Sequence, residues 1–283
     1  MTQIVVSTGS SRDLIQELQH YLALRVPDQR VAESGEFDLA TRSALAAFRQ
    51  ANWLPVERRR ETAASGFLHA LLPMDDACDL TAWNALHQTE TFNVRHDVTL
   101  VHQRTDLTGC EMASLAMLLG HDVELERPVH EGEAAPWTMR SLPPSRGHGD
   151  EVSERWHDVF RRGVIGLDSG ADSAHERLAE RLGLRYLRHG TWTPVALAAT
   201  LHQGPIMVAS NWLDEDSGSG GSHAWVLAGM RGDGSEAGTA CLRYDPQSVS
   251  VTAGIQSWTF DDMMAEFSTA FRQMIQGSAR LRS

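Results

Sequence analysis

Cys110 is the residue on which covalent chemistry could be built. It stands where the turn formers Thr108-Gly109 give way to a helix-forming run, Met112 to Leu119, which Gly120 stops. A cysteine in the first turn of a helix faces unpaired backbone N–H groups and the positive end of the helix dipole. Both favour the thiolate, which is the nucleophilic form. A nucleophilic thiolate needs a base, and the base needs an acceptor that orients it. His223 follows a glycine-rich segment and begins the apolar run Ala224-Trp225-Val226-Leu227-Ala228. Asp245 ends the next apolar run, in Tyr244-Asp245-Pro246. If those two runs pair as antiparallel strands, His223 and Asp245 come to the same end of a sheet, where scaffolds place functional groups. Gln103, seven residues before Cys110, could donate its amide, with the Cys110 N–H, to a developing oxyanion. Each residue also has a plainer reading. Free Cys is usually buried and inert, a histidine before a strand can be structural or merely solvated, and Asp-Pro is a common turn former. The four together point to a cysteine hydrolase.

Composition narrows the alternatives. The formal net charge of -12 argues against nucleic acid and anionic membrane surfaces as partners. All 25 basic residues are Arg. The cysteines Cys78, Cys110 and Cys241 are too few and too far apart for a disulfide framework, and none has C-x-x-C spacing. The thirteen histidines include no H-x-x-x-H pair, so neither a zinc hydrolase nor any other metal centre is expected. Asp214-Glu215-Asp216-Ser217-Gly218 lacks the closing glutamate of a calcium loop and reads as a cleft rim. No glycine-rich phosphate loop follows a strand, and no cofactor is expected. No apolar run has the length of a membrane span. Met1 to Ser10 lacks the basic start and apolar core of a signal peptide, which predicts synthesis in the cytoplasm.

The elements that must position these residues follow from periodicity. Leu14, Leu18 and Leu22 make one stripe of a helix over 12–24, capped by Ser10 or Ser11. Asp38 opens a second helix with Ala44, Leu45 and Phe48 inside. A polar, Arg-rich stretch, Glu57 to Ser65, precedes a third short helix near Asp79 that carries Trp83 and Leu86. Thr89 to Arg95 reads as a linker and Val98 to Val101 as a strand. Residues 121 to 170, rich in charge, Gly, Pro and His, read as a surface excursion. Then come a helix at Ala174 to Leu182, a strand at Leu184 to Leu187, a helix capped by Thr193, and strands at Pro205 to Ser210, Ala224 to Met230, Thr239 to Tyr244 and Ser248 to Thr252. A last helix is expected from Phe260 to Ile275.

Two resemblances sharpen this outline. Leu18-Gln19, Leu22, Gly35-Glu36-Phe37, Thr41, Ala44, Phe48-Arg49-Gln50, and then Thr81, Trp83 and Leu86, resemble the three-helix peptidoglycan-binding domain of bacterial cell-wall hydrolases. Asp38 stands where that pattern has glycine, and Val56 to Cys78 is an insertion. Gly109-Cys110-Glu111 with Leu115-Ala116-Met117-Leu118-Leu119, Gly204-Pro205-Ile206-Met207-Val208, the His223 strand and Tyr244-Asp245-Pro246 resemble the papain-like cysteine peptidases, in the branch related to bacteriocin-processing peptidases. Many relatives there have cysteine-glycine-proline, and some have asparagine for Asp245. The resemblances imply an α+β chain: an all-α domain over 10–88 and a papain-like domain over 96–275, with the catalytic helix packed on an antiparallel sheet. They imply a peptidoglycan-targeting amidase or endopeptidase with Cys110, His223, Asp245 and Gln103 as its catalytic residues. Such an enzyme would be an antibacterial effector, exported by a specialised route to a periplasm or target cell, with an immunity protein or a secretion-system component as partner. The alternatives are a protease that uses the helical domain for docking, and a non-enzymatic peptide-binding module.

Overall fold

The computed structural model describes residues 3–60, 70–73, 76–102, 110–120, 123–126, 138–141, 176, 179–180, 182–187, 192–213, 220–247, 254–267 and 272–278. The chain mixes α and β structure. Its first part holds strand β1 (Ile4–Ser7), helices α1 (Arg12–Arg25) and α2 (Leu39–Ala51), a hairpin of β2 (Glu57–Arg60) and β3 (Ala70–Pro73), strand β4 (Ala77–Asp79) and helix α3 (Leu80–His87). Each helix starts where a short polar side chain can meet an otherwise unpaired N–H. The Ser11 hydroxyl accepts from Leu14, Asp38 from Thr41, and Asp79 from Ala82. Leu18, Leu22, Ala44, Leu45, Phe48, Ala82 and Leu86 close a common core.

Gln19 is fully buried in that core, and its amide explains why distant parts of the motif belong together. Its two N–H groups are shared among the Glu36 carbonyl at 2.8 Å, the Thr41 hydroxyl at 2.9 Å and the Ser34 hydroxyl at 3.1 Å. Its own oxygen accepts from the Gly35 N–H at 2.8 Å. Gly35 has φ +76, which a side chain would strain, and an added Cβ there would strike the Arg12 side chain. Leu-Gln, Gly-Glu-Phe and Thr are thus parts of one buried hydrogen-bond network.

This part is not all-α, as the sequence suggested. β1 and β4 form an antiparallel ribbon, and the Arg-rich stretch contributes β2 to the β2–β3 hairpin. Such short strands escape a periodicity reading because their stability lies in the partner strand.

The second part holds β5 (Phe92–Arg95), helix α4 (Cys110–Leu119), β6 (Val123–Glu126), β7 (Thr138–Ser141), β8 (Arg185–Leu187), helix α5 (Pro194–Leu201), β9 (Ile206–Leu213), β10 (Gly220–Gly232), β11 (Thr239–Tyr244), β12 (Ile255–Thr259), helix α6 (Phe260–Phe267) and β13 (Arg272–Gln276). Seven of the strands make an antiparallel sheet in the order β12-β11-β10-β9-β13-β8, with β5 also paired to β10. β10 pairs with β9 through Leu227 and with β5 from Gly229 onward; the register against β11 slips between those two residues. Ala224, Val226 and Ala228 face α4, whose Ala113, Leu115, Ala116, Met117 and Leu118 are all buried. Trp225, Leu227 and Met230 face α5 and α6. A helix buried on most sides needs no polar stripe, which is why α4 reads as apolar apart from Glu111 and Ser114.

Several expectations change. Thr89 to Arg95 is no free linker, because it carries β5. Val98 and Val101 are buried, but residues 98–101 form no strand. The last helix stops at Phe267, and Arg272–Gln276 instead pairs with β9 and β8. Ser248 to Thr252 lies outside the described residues, as does most of Ala174 to Leu182; the strand beside β11 is β12.

The helical part is fixed to the far end of β10. The Arg231 guanidinium forks onto Glu90, at 2.6 and 2.7 Å, and donates to the Asn52 carbonyl at 2.7 Å. Asn84 donates to Asp233 at 2.8 Å, and Ala240 of β11 is enclosed in the helical core. Gly229 lies where a Cβ would come within 3.0 Å of the Val94 carbonyl and 3.4 Å of the Trp53 ring. Arg231→Ala would leave Glu90 with a side-chain exposure of only 13% and no partner. A loss of about 3–5 kcal/mol in urea unfolding is expected, the scale for breaking a buried pair. A loss below about 1 kcal/mol would place this ion pair among the weak surface type.

Candidate active site

Cys110 is the first residue of α4 and only 2% exposed. The N–H groups of that first turn have no carbonyl within the helix. His223 sits near the start of β10, opposite Ser210 of β9 and before the pairing with β11 begins at Val226. Asp245 directly follows β11, its backbone N–H held by the Gly254 carbonyl at 2.7 Å. The expected antiparallel pairing of β10 with β11 brings the two together: His223 Nε2 lies 3.0 Å from Asp245 Oδ1. The Cys110 side chain lies close enough to the same ring to raise its proton affinity. The structure thus places Cys110 and Asp245 on the same histidine ring, one from 113 positions before it and the other from 22 positions after it. Gln103, with the other residues of 103–109, lies outside the described residues, as does the acidic run 214–218.

The carboxylate is held from several sides. Asp245 Oδ1 accepts from the Gln247 N–H at 2.9 Å as well as facing the imidazole. Oδ2 accepts from Arg243 Nη2 at 2.6 Å. Arg243 was not singled out from sequence. The signal was present, since residues two apart on a strand share a face and a basic residue there can reach the carboxylate.

The protonation states follow from these contacts. Burial pulls the His223 ring down, but its hydrogen bonds to Asp245 and Cys110 and the Asp245 charge outweigh that; with the Arg243 charge opposing, the ring is raised to about 9. Burial would raise Asp245, but the His223 hydrogen bond, the Arg243 and His223 charges and the Gln247 N–H hold it well below the usual carboxylate range. A charged carboxylate thus faces a readily protonated imidazole.

The other histidines with clear partners do different work. His96 is fully buried, with Nε2 2.6 Å from the Leu201 carbonyl, and ties β5 to the end of α5. His87 is stacked between Tyr21 and Trp83. Cys78 and Cys241 are buried, and burial pushes both thiols far up. Among the described residues no cluster of His, Cys, Asp and Glu could hold a metal ion, and no helix is long and apolar enough to cross a membrane. A polar hollow of about 570 Å³ lies where the two parts of the chain meet, lined by Arg25, Asn52, Glu90 and Arg231 among others. None of Cys110, His223 and Asp245 lines it.

The coupled pair has a definite pH signature. Asp245, depressed on folding, contributes stability present above its unfolded value near 3.9 and lost as pH falls through the folded one. His223, raised to about 9, contributes stability fully present below about 6.5 and lost as pH rises through 9. Folding stability should therefore fall by roughly a few kcal/mol from pH 6.5 to above 9. Asp245→Asn should flatten that alkaline decline, whatever it does to absolute stability. Urea midpoints at pH 6, 7.5 and 9.5 measure this, and parallel curves for the two proteins would show that the His223–Asp245 bond contributes little.

Compared with known proteins, the chain matches none of the protein-family models, and no curated protein matches it either.

Proposed function

We propose that this chain is a cysteine hydrolase of papain-like design that cleaves amide bonds through Cys110, His223 and Asp245. The observation that carries the reading is the His223–Asp245 hydrogen bond at 3.0 Å, with the Cys110 side chain beside the same ring. Its support is threefold: the cysteine opens a buried helix, that helix packs on an antiparallel sheet, and the base and its acceptor come from neighbouring strands in the chain order Cys, His, Asp.

In this mechanism the Cys110 thiolate attacks the carbonyl carbon, and a C–S bond forms as the carbonyl oxygen takes the negative charge. The Cys110 N–H and Gln103 stabilise that oxyanion. The C–N bond then breaks, and the His223 imidazolium gives its proton to the leaving amine. Water attacks the thioester, with His223 taking its proton, and the tetrahedral intermediate collapses to a carboxylic acid and the free thiol. Asp245 holds the ring in the tautomer and orientation that both halves require.

Peptidoglycan is the proposed substrate. The residues that resemble the wall-binding domain lie in one folded unit, tied together by Gln19. Its α1 and α3 present a partly exposed stack of Tyr21, His87 and Trp83, with ring centroids 3.9 and 4.2 Å apart. Aromatic faces of this kind suit stacking on sugar rings. An enzyme of this type would be an antibacterial effector exported by a specialised secretion system, and an immunity protein would be its partner in the producing cell. The second reading is a protease acting on a protein. The rigid seating of the helical part on β10 favours it, because a fixed module can dock a folded partner.

One experiment separates the two: incubate the full chain with purified sacculi and with a protein mixture, and identify new termini by mass spectrometry. New termini in wall peptides are expected; cleavage confined to proteins would favour the second reading. Cys110→Ala should abolish cleavage with a nearly unchanged melting temperature, and substantial residual activity would rule out covalent catalysis by this residue. Gln103→Ala should lower the rate about a hundredfold or more, the usual loss for one oxyanion donor, with little change in binding of uncleaved substrate. If affinity fell and turnover did not, Gln103 would be a binding residue.

A further inference from the structure

We propose that Arg243 is a positioning residue for the cysteine–histidine pair: its guanidinium, held between Trp225 and Trp258, fixes the Asp245 carboxylate so that Oδ1 stays on His223. The proposal rests on the reading of Cys110, His223 and Asp245 as catalytic, and it concerns how that constellation is held.

The geometry is specific. Arg243 is in β11, Trp225 in β10 and Trp258 in β12, and the strand registers place all three on one face of the sheet. The guanidinium carbon lies 4.8 Å from the Trp225 ring centroid and 4.4 Å from that of Trp258. Only 5% of the Arg243 side chain is exposed. A cation between two indole faces is attracted to both, more strongly when removed from water. The plane of the fork is thereby set, and Nη2 is delivered to Asp245 Oδ2 at 2.6 Å. One carboxylate oxygen is then committed to Arg243. The other is left for His223 and the Gln247 N–H. The carboxylate has few ways to turn, so the ring it supports is fixed as well. The guanidinium donates to Asp245, and through that carboxylate it acts on the ring.

Two effects of Arg243 on His223 have opposite sign. The groups facing the ring are Asp245, Cys110 and Arg243, and those facing Asp245 are His223 and Arg243. The Arg243 charge by itself lowers the proton affinity of the ring. Its hold on Asp245 preserves a hydrogen bond that raises it. If Arg243 acted only as a nearby charge, its removal would move the His223 midpoint upward. If it acts by positioning, removal lets the carboxylate turn away and the midpoint falls.

The test is a pH titration of the histidine rings by NMR in the full chain, with His223 identified by the signal lost in His223→Gln. In the wild type the midpoint is expected near 9. In Arg243→Met, which fills the slot between the tryptophans without a fork, the midpoint should fall by about one unit or more, a tenfold loss of proton affinity. Arg243→Lys keeps the charge but neither the planar stacking nor the fork, and should give an intermediate value. In an Asp245→Asn background, Arg243→Met should produce no further fall. A role confined to packing would lower the melting temperature without moving the ring. A His223 midpoint unchanged or raised in Arg243→Met overturns the proposal. Should that variant fail to fold, Arg243→Lys decides: a midpoint equal to the wild type overturns the proposal, and a lowered one supports it. The measurement needs no substrate, so it stands apart from the hydrolase reading, which fails separately if Cys110→Ala retains turnover.

Discussion

From Ala224 to Met230 strand β10 is closed off from water on both faces, and this constraint sets the geometry of everything around it. Ala224, Trp225, Val226, Leu227, Ala228 and Met230 are all fully buried, between α4 on one side and α5 with α6 on the other. Burying each of the larger side chains contributes about 1.5–3 kcal/mol relative to exposure. A slip of one residue in register would send each set of side chains to the wrong face. The register is therefore strongly specified, and the position of the strand end is specified with it. His223 stands at that end, one residue before the buried run, and inherits a fixed position. At the other end Arg231 and Gly229 seat the helical part, so the same strand ties the two halves of the chain together.

The candidate site follows the same division of labour. Packing fixes the backbone, and a few polar contacts fix the candidate site's side chains on it. α4 is held largely by apolar burial, with its first residue beside the His223 ring. The carboxylate beyond the ring is partly buried and each of its oxygens has a partner. Low polarity around such a chain strengthens each contact and makes the loss of any one costly.

Local chemistry was legible in the sequence, and long-range pairing was less so. The caps at Ser11, Asp38, Asp79 and Thr193 were readable because side chain and N–H are three residues apart. The strands around His223 and Asp245 were readable because their apolar runs are long. β1, β5 and β13 were not, since each has only four or five residues and its partner lies far away in sequence. Residues 260–275 carry enough apolar character to read as one helix, yet the free edge of β9 captures the second half as β13. In the site, Cys110, His223 and Asp245 could be found from chemical type and placement. Arg243 passed as an ordinary strand residue because its role depends on Trp225 and Trp258, which reach it only across the sheet.

The central claim is that Cys110 is an activated nucleophile, unlike the two structural thiols. The direct test is alkylation of the native full chain with an uncharged iodoacetamide at pH 6, followed by peptide mass mapping of the three cysteines. The account predicts that Cys110 is labelled rapidly while Cys78 and Cys241 are spared, and that His223→Ala slows its labelling at least tenfold. Labelling of Cys110 as slow as that of the other two, or unaffected by the loss of His223, would contradict it.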